Sequence, residues 1–257
     1  MTINLILAPP AAGKTAACID RILAVHKDQP LAQVWVLVPN PQKAAYFRSR
    51  LAAAGGGMGV RVGEFRYFYK ELFEENGVFP PIISSALSHR LIQETVREAF
   101  DSGELVHYAA IKDKPGFLSV LRDAFAELRS AMVQPSAFLE YTSASTPARR
   151  ELATLYNRYL VRLEALGWVD GEGQAWLAID ALQNNPTLAS CPSLVIVDGF
   201  ASFTTARRRF LKLLSQQAGE VIITLTGEGE CEREVDRRSK DAMRELVKEL
   251  SPALSSH

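Results

Sequence analysis

The chain has few cysteines, no net charge and no long apolar run. Its three cysteines, Cys18, Cys191 and Cys231, stand far apart and none has CxxC spacing. That spacing gives no support for a cysteine-held metal or a disulfide framework, and makes a reducing cytoplasm the natural setting. The 29 Lys and Arg balance 29 Asp and Glu, so no global field draws the chain toward nucleic acid or an acidic membrane. A local basic groove stays open. No basic segment precedes the first apolar run, which is about five residues long against the ~20 that a membrane span needs. A soluble, cytoplasmic protein with no membrane partner is expected. What remains is ordinary: 47% hydrophobic and 23% charged over 257 residues, enough for one large domain or two small ones.

The organising stretch is Ile3 to Thr15, INLILAPPAAGKT. A short apolar run, Ile3-Asn4-Leu5-Ile6-Leu7, enters a loop closed by Gly13-Lys14-Thr15, and Ala16 to Leu23 reads as a helix. Strand, loop and helix in that order build a phosphate-cradling P-loop. Loop amides and the positive helix end face an anion, the lysine reaches the outer phosphates, and the threonine hydroxyl holds Mg²⁺. The expected cofactors are ATP and Mg²⁺, with Ala8, Ala12, Gly13, Lys14 and Thr15 around them. Ala8 departs from the usual glycine, though it is small enough to stand there. A chance Gly-Lys-Thr at a helix start is the alternative.

Val34-Trp35-Val36-Leu37-Val38 is nearly continuous apolar sequence, the signature of a strand buried on both faces. It stops at Pro39-Asn40-Pro41. A helix is expected over 42–54, ended by Gly55-Gly56-Gly57, then a third run over 59–63 and an aromatic cluster, Phe65 to Tyr69. This is βαβαβ order, which argues for a parallel α/β sheet. Beyond Asn76-Gly77 strand-like runs disappear for about a hundred residues. Helices are expected from a Ser84 or Ser85 cap, from Pro115, from Thr146-Pro147 to Gly167, and from Asp170. Leu194 to Val197 and Val221 to Leu225 then restore the strand pattern. A charged tail follows, with Ser239 placed to cap a last helix. The domains expected are 1–76, a helical insertion over 77–190, and 191–257, with the chain read as a piece of something longer.

A P-loop needs an acid at the end of a neighbouring strand to hold the metal. Asp198, directly after Leu194-Val195-Ile196-Val197, has that position, and a turn or helix cap is its other reading. Motor ATPases commonly follow this acid with a glutamate that orients water; here Gly199 stands there. Slow or absent hydrolysis is expected.

Asp198-Gly199-Phe200-Ala201-Ser202-Phe203-Thr204 resembles the DGF.xFT stretch of the AddB (RexB-like) subunits of ATP-dependent helicase–nucleases that process double-strand DNA breaks. Other segments resemble the family in order: Leu37-Val38-Pro39, Val60 to Phe65, Gly116-Phe117, Glu127-Leu128-Arg129, and Tyr156 and Tyr159 followed by Gly167-Trp168-Val169-Asp170. The resemblance implies a P-loop NTPase-like sheet similar to domain 1A of superfamily 1 helicases, with an all-helical 1B-like insertion. It implies an AddA-like helicase–nuclease subunit as partner, and DNA, single-stranded or at break ends. Thr15 and Asp198 match the metal-holding positions. The family's nuclease and its iron–sulfur cluster have no counterpart in these 257 residues.

By the same resemblance, loops after early strands face DNA, which nominates Phe65, Arg66 and Tyr67; Arg207, Arg208 and Arg209 form a basic run able to meet phosphates. Core packing for Phe65 and a solvated helix face for the arginines are the plainer alternatives. A self-sufficient P-loop kinase with a helical lid, and a protein–protein scaffold with a vestigial loop, are the competing functions.

Overall fold

The structure is a computed structural model that describes residues 2–185, 192–227, 234–250 and 253–256. Cys191, Cys231 and the charged stretch 228–233 lie outside the described residues. The chain opens with β1 (Thr2–Ala8), α1 (Lys14–Asp28), β2 (Val34–Leu37), α2 (Pro41–Ala53), β3 (Val60–Gly63) and α3 (Phe65–Glu75). Helices follow: α4 (Ser85–Asp101), a 3-10 turn at Ala109–Ile111, α5 (Pro115–Ser130), α6 (Pro135–Thr142), α7 (Pro147–Ala165) and α8 (Gly173–Asn184). The sheet then resumes with β4 (Leu194–Val197), α9 (Thr205–Gln217), β5 (Glu220–Thr226), α10 (Glu234–Leu250) and β6 (Ala253–Ser256). Two compact units result, Met1–Val78 with Ala178–His257, and Phe79–Leu177.

The first unit carries a sheet of order β3-β2-β4-β5-β1-β6 in which every pairing is parallel. All four residues of β2 and of β4 are buried, which is why their sequences run apolar without alternation. Cys18, Ile19 and Ile22 of α1 and Ala44, Phe47 and Leu51 of α2 pack in one core with β2 and β4. Burying the larger of these, Ile19, Ile22, Phe47 and Leu51, stabilises by roughly 1.5–3 kcal/mol each. The helix α2 starts where Asn40 accepts the Lys43 amide at 2.9 Å and Pro41 presets the first turn. It ends where Gly55 and Gly56 take positive φ and the Gly56 amide returns to the Leu51 carbonyl at 2.8 Å.

The second unit is helical. Leu91, Ile92 and Val96 of α4, Leu118, Leu121 and Phe125 of α5, and Leu155, Tyr156, Tyr159 and Leu163 of α7 form its core. Ser84 accepts the Leu87 amide and caps α4. Thr146 holds the N-cap position of α7 without a side-chain bond, so Pro147 carries that helix start. The Tyr159 hydroxyl bonds Asp170 at 3.1 Å and Ser88 at 3.0 Å, and Tyr156 donates to the Val133 carbonyl at 2.9 Å. Asp170 also accepts the Gly173 amide at the start of α8, and lies 3.0 Å from Arg129. Tyr159 and the later aspartate therefore brace each other, while Tyr156 ties α7 to the segment after α5.

Four elements differ from the sequence reading, the first being β6, which pairs in parallel with β1 where no strand was expected. The aromatic cluster after β3 is not a loop: it opens α3, and Phe65, Phe68, Tyr69, Leu72 and Phe73 are buried at helical spacing. α6 has no counterpart in the expected helices. α10 begins at Glu234, so Ser239 lies inside it rather than at its cap.

Candidate nucleotide site

Ligands of open α/β sheets sit beyond the carboxyl ends of the strands, and the candidate residues gather there. β1 ends at Ala8, 1% exposed, a place suited to a small side chain. The loop then turns, the Ala12 amide donating to the Pro9 carbonyl at 3.3 Å. Two of its residues are left-handed, Ala11 at φ 62° and Gly13 at φ 84°. Gly13 takes this freely as the N-cap of α1. Alanine at such a position costs roughly 1–2 kcal/mol, a strain that persists where the surroundings hold the loop in one shape. The first turn of α1 has no acidic residue and no side-chain cap, so no side chain competes with an anion for its amides.

The Lys14 ammonium folds over the loop, donating to the Ala8 carbonyl at 2.8 Å and the Pro9 carbonyl at 2.6 Å. Burial lowers its pKa from the ordinary lysine value, and the Asp198 carboxylate opposes that shift. Thr15 Oγ1 donates to Asp198 Oδ2 at 2.8 Å, and Thr224 Oγ1 donates to Oδ1 at 2.5 Å. The sheet explains this convergence. The Asp198 amide bonds the Leu37 carbonyl at 3.0 Å, one step past β4, and the register Val197↔Ile223 brings Thr224 beside it. Neighbouring ligands of Mg²⁺ at 2.0–2.1 Å are about 2.9 Å apart, so the Thr15–Asp198 oxygen pair fits such an ion. Behind them Cys18 is fully buried; burial first, and Asp198 second, push its thiol well up, out of reach of thiolate chemistry.

A cavity of about 520 Å³ is lined by residues 10–15, by Asp198, Gly199 and Thr226 at the strand ends, and by Lys43, Tyr46 and Arg50 of α2. Gly199 sits at φ 83°, and a β-carbon placed there meets nothing nearer than Pro39 at 3.8 Å.

A family model described as ADDB, N-terminal, matches residues 5–250. The chain belongs to this family. Among similar proteins described as the B-type component of an ATP-dependent helicase/deoxyribonuclease, that of Carboxydothermus hydrogenoformans is 25% identical over 234 residues, 88% of this chain and 21% of the relative. That of Pelotomaculum thermopropionicum is 27% identical over 241 residues, 88% and 20% of the two chains. That of Exiguobacterium sibiricum is 24% identical over 222 residues, 83% and 19%. The chain thus spans about a fifth of the length of the curated relatives it matches.

In this ADDB N-terminal chain the DGF.xFT stretch divides its work. Asp198 faces the loop, Phe200 and Phe203 are buried 5.2 Å apart, and Thr204 caps α9 by accepting the Arg207 amide. The residues nominated for DNA have separate fates. Phe65 is 4% exposed and packs against Phe200 and Phe210, so its ring is core. Arg208 is buried, donating to the Phe203 carbonyl and pairing with Glu245 and Glu249 of α10. Arg207 is half-buried, its guanidinium 5.3 Å from the Phe65 ring. Arg66, Tyr67 and Arg209 are exposed. Among the described residues, no helix is long and apolar enough to cross a membrane.

Four residues of the site escaped the sequence reading. Thr224 is the lone hydroxyl in the buried run of β5, and that isolation was its signal. Lys43, Tyr46 and Arg50 are three, four and seven residues apart, one stripe of a helix.

Proposed function

We propose that this chain is the nucleotide-binding, helicase-like part of an AddB-type subunit in a complex that processes double-strand DNA breaks in the cytoplasm. Its sheet unit corresponds to a superfamily 1 domain 1A and its helical unit to a 1B-type insertion. Gly13, Lys14, Thr15 and Asp198 hold Mg-ATP, and the chain alone turns it over slowly or not at all. When bound, the ion neutralises charge on the outer phosphates. The observation carrying this reading is the contrast at one strand end: Asp198 is fastened to Thr15, and the next residue is a left-handed glycine with no carboxylate. An AddA-like helicase–nuclease subunit supplies the motor. DNA, single-stranded or at a break end, meets Arg66, Tyr67, Arg207 and Arg209.

Calorimetric titration with ATP and Mg²⁺ tests the binding half: the wild type binds and Lys14→Ala does not. Binding by neither protein removes the nucleotide assignment. Brisk ATPase activity from this chain alone on adding single-stranded DNA would contradict the non-motor role. Replacing Arg66 and Arg209 should weaken salt-dependent DNA binding; unchanged affinity would remove them as contacts.

A further inference from the structure

The cavity over the loop is lined by three cations, Lys14, Lys43 and Arg50, and by one carboxylate, Asp198. Lys14 donates to the Ala8 and Pro9 carbonyls of the loop. The other two belong to α2, which forms part of the cavity wall. Among the described residues neither is in an ion pair, and neither side chain donates a hydrogen bond to the protein. Arg50 is only half exposed, and its guanidinium lies 5.7 Å from the Tyr46 ring, which steadies it without neutralising it. A partly buried guanidinium with no counter-ion is a ready acceptor for an oxyanion, which it grips through parallel N–H donors.

The position of this wall indicates which part of a ligand it meets. Thr15 and Asp198, which would hold a divalent ion, mark the outer-phosphate end of a P-loop ligand, since such an ion would neutralise charge on the outer phosphates. The chain itself brings α2 to Asp198: β2 pairs with β4 so that Leu37 lies beside Val197, α2 starts at Pro41 just beyond, and a β-carbon on Gly199 would lie 3.8 Å from Pro39. We infer that the Lys43 ammonium and the Arg50 guanidinium hold the terminal phosphate of a triphosphate, making the site selective for a triphosphate over a diphosphate. This rests on the reading of the loop as a nucleotide site. In that arrangement one helix of this unit supplies, to the bound ligand, positive charge that the loop lysine alone does not.

The test is calorimetry at low salt, where charge contacts are least screened, with the full chain, Mg²⁺, and ATP, ADP or inorganic tripolyphosphate as probes. The variants are Lys43→Gln, Arg50→Gln, Arg50→Lys and Lys14→Ala, each checked for an unchanged melting curve. Lys43→Gln and Arg50→Gln are expected to weaken ATP and tripolyphosphate about tenfold each while changing ADP less than about threefold. Arg50→Lys should recover part of the loss, since it keeps the charge. Equal losses for ATP and ADP, or none, overturn the inference while wild-type binding leaves the nucleotide site standing. Loss for ATP but not for tripolyphosphate also overturns it, by moving the contact to the base or ribose. A wild type that binds none of the probes fails the underlying site instead.

Discussion

Gly199 allows the binding and catalytic halves of the site to be tested by one series of substitutions. At φ 83° it lies where an L side chain is disfavoured, yet its β-carbon position is open, with Pro39 no closer than 3.8 Å. A substitution there therefore changes backbone energy and little else. Left-handed backbone costs an alanine roughly 1–2 kcal/mol, and the reduced freedom of the unfolded chain returns about 0.4–1 kcal/mol. The net loss for Gly199→Ala is about 1 kcal/mol, a fall in Tm of about 2–4 °C for a chain of this size. Gly199→Asn should lose less, because asparagine tolerates this region. Gly199→Glu carries the same backbone penalty but brings a carboxylate toward the cavity. General-base groups contribute about 10²–10⁴ in rate, and a strained carboxylate should recover the low end. We predict that Gly199→Glu raises single-turnover ATP hydrolysis at least about tenfold, with ATP affinity unchanged. Scanning calorimetry and rapid-quench assays read the two effects. An alanine variant as stable as the wild type would refute the backbone argument, and a glutamate variant with wild-type turnover would refute the catalytic one.

Thr224→Val keeps the shape of the buried strand but removes the hydroxyl from Asp198; a bond to a charged group in that setting contributes about 1.5–3 kcal/mol, so denaturant melts should show a loss in that range and weaker Mg²⁺-dependent binding. Glu151, 7% exposed, accepts the amides of Val106, His107 and Tyr108 at 3.0, 2.6 and 3.0 Å; Glu151→Ala should cost about 2–4 kcal/mol and raise hydrogen exchange over 104–111, whereas Glu151→Gln should keep part of the protection. Lys14 releases its proton more readily folded than unfolded, so between its lowered value and 10.5 the unfolded chain binds more protons and the lysine's contribution to stability rises with pH. Melts at neutral and at about pH 10 should therefore show Lys14→Met losing ground to the wild type on the alkaline side; the opposite trend would reverse the assignment. Arg208→Ala leaves Glu245 and Glu249 unpaired and should lower Tm without changing the salt slope of DNA binding, while Arg209→Ala should do the reverse.

How much was legible depended on distance along the chain. The loop and its helix are contiguous, so Gly13, Lys14 and Thr15 could be read directly, and the unbroken apolar runs Val34–Val38 and Leu194–Val197 marked buried parallel strands before any fold was known. Asp198 could be picked out because a strand end is a local feature. Its second partner could not: Thr224 meets it only because β5 pairs with β4 in register, across 26 residues. Lys43 and Arg50 look like ordinary surface cations of an amphipathic helix, and only the folded chain brings them to one cavity with the loop. α3 is hidden for a different reason. Its spacing is helical, but six aromatic or basic residues in succession, Phe65 to Lys70, draw the eye to composition rather than to period.

The three consecutive arginines show the same limit in one turn of helix. Successive residues are about 100° apart around α9, so Arg207, Arg208 and Arg209 must face three directions, whatever the run's total charge. Arg207 lies over the Phe65 ring, Arg208 points to a carbonyl and two glutamates, and Arg209 is exposed. Those glutamates are 37 and 41 residues away, four apart on α10, so they present one acidic face that captures the middle arginine alone. A basic run on a helix therefore gives a DNA-facing surface about one residue in three. The contacts proposed for a strand of nucleic acid are accordingly drawn from two helices, Arg66 at the start of α3 and Arg209 in α9, each following a strand of one parallel sheet.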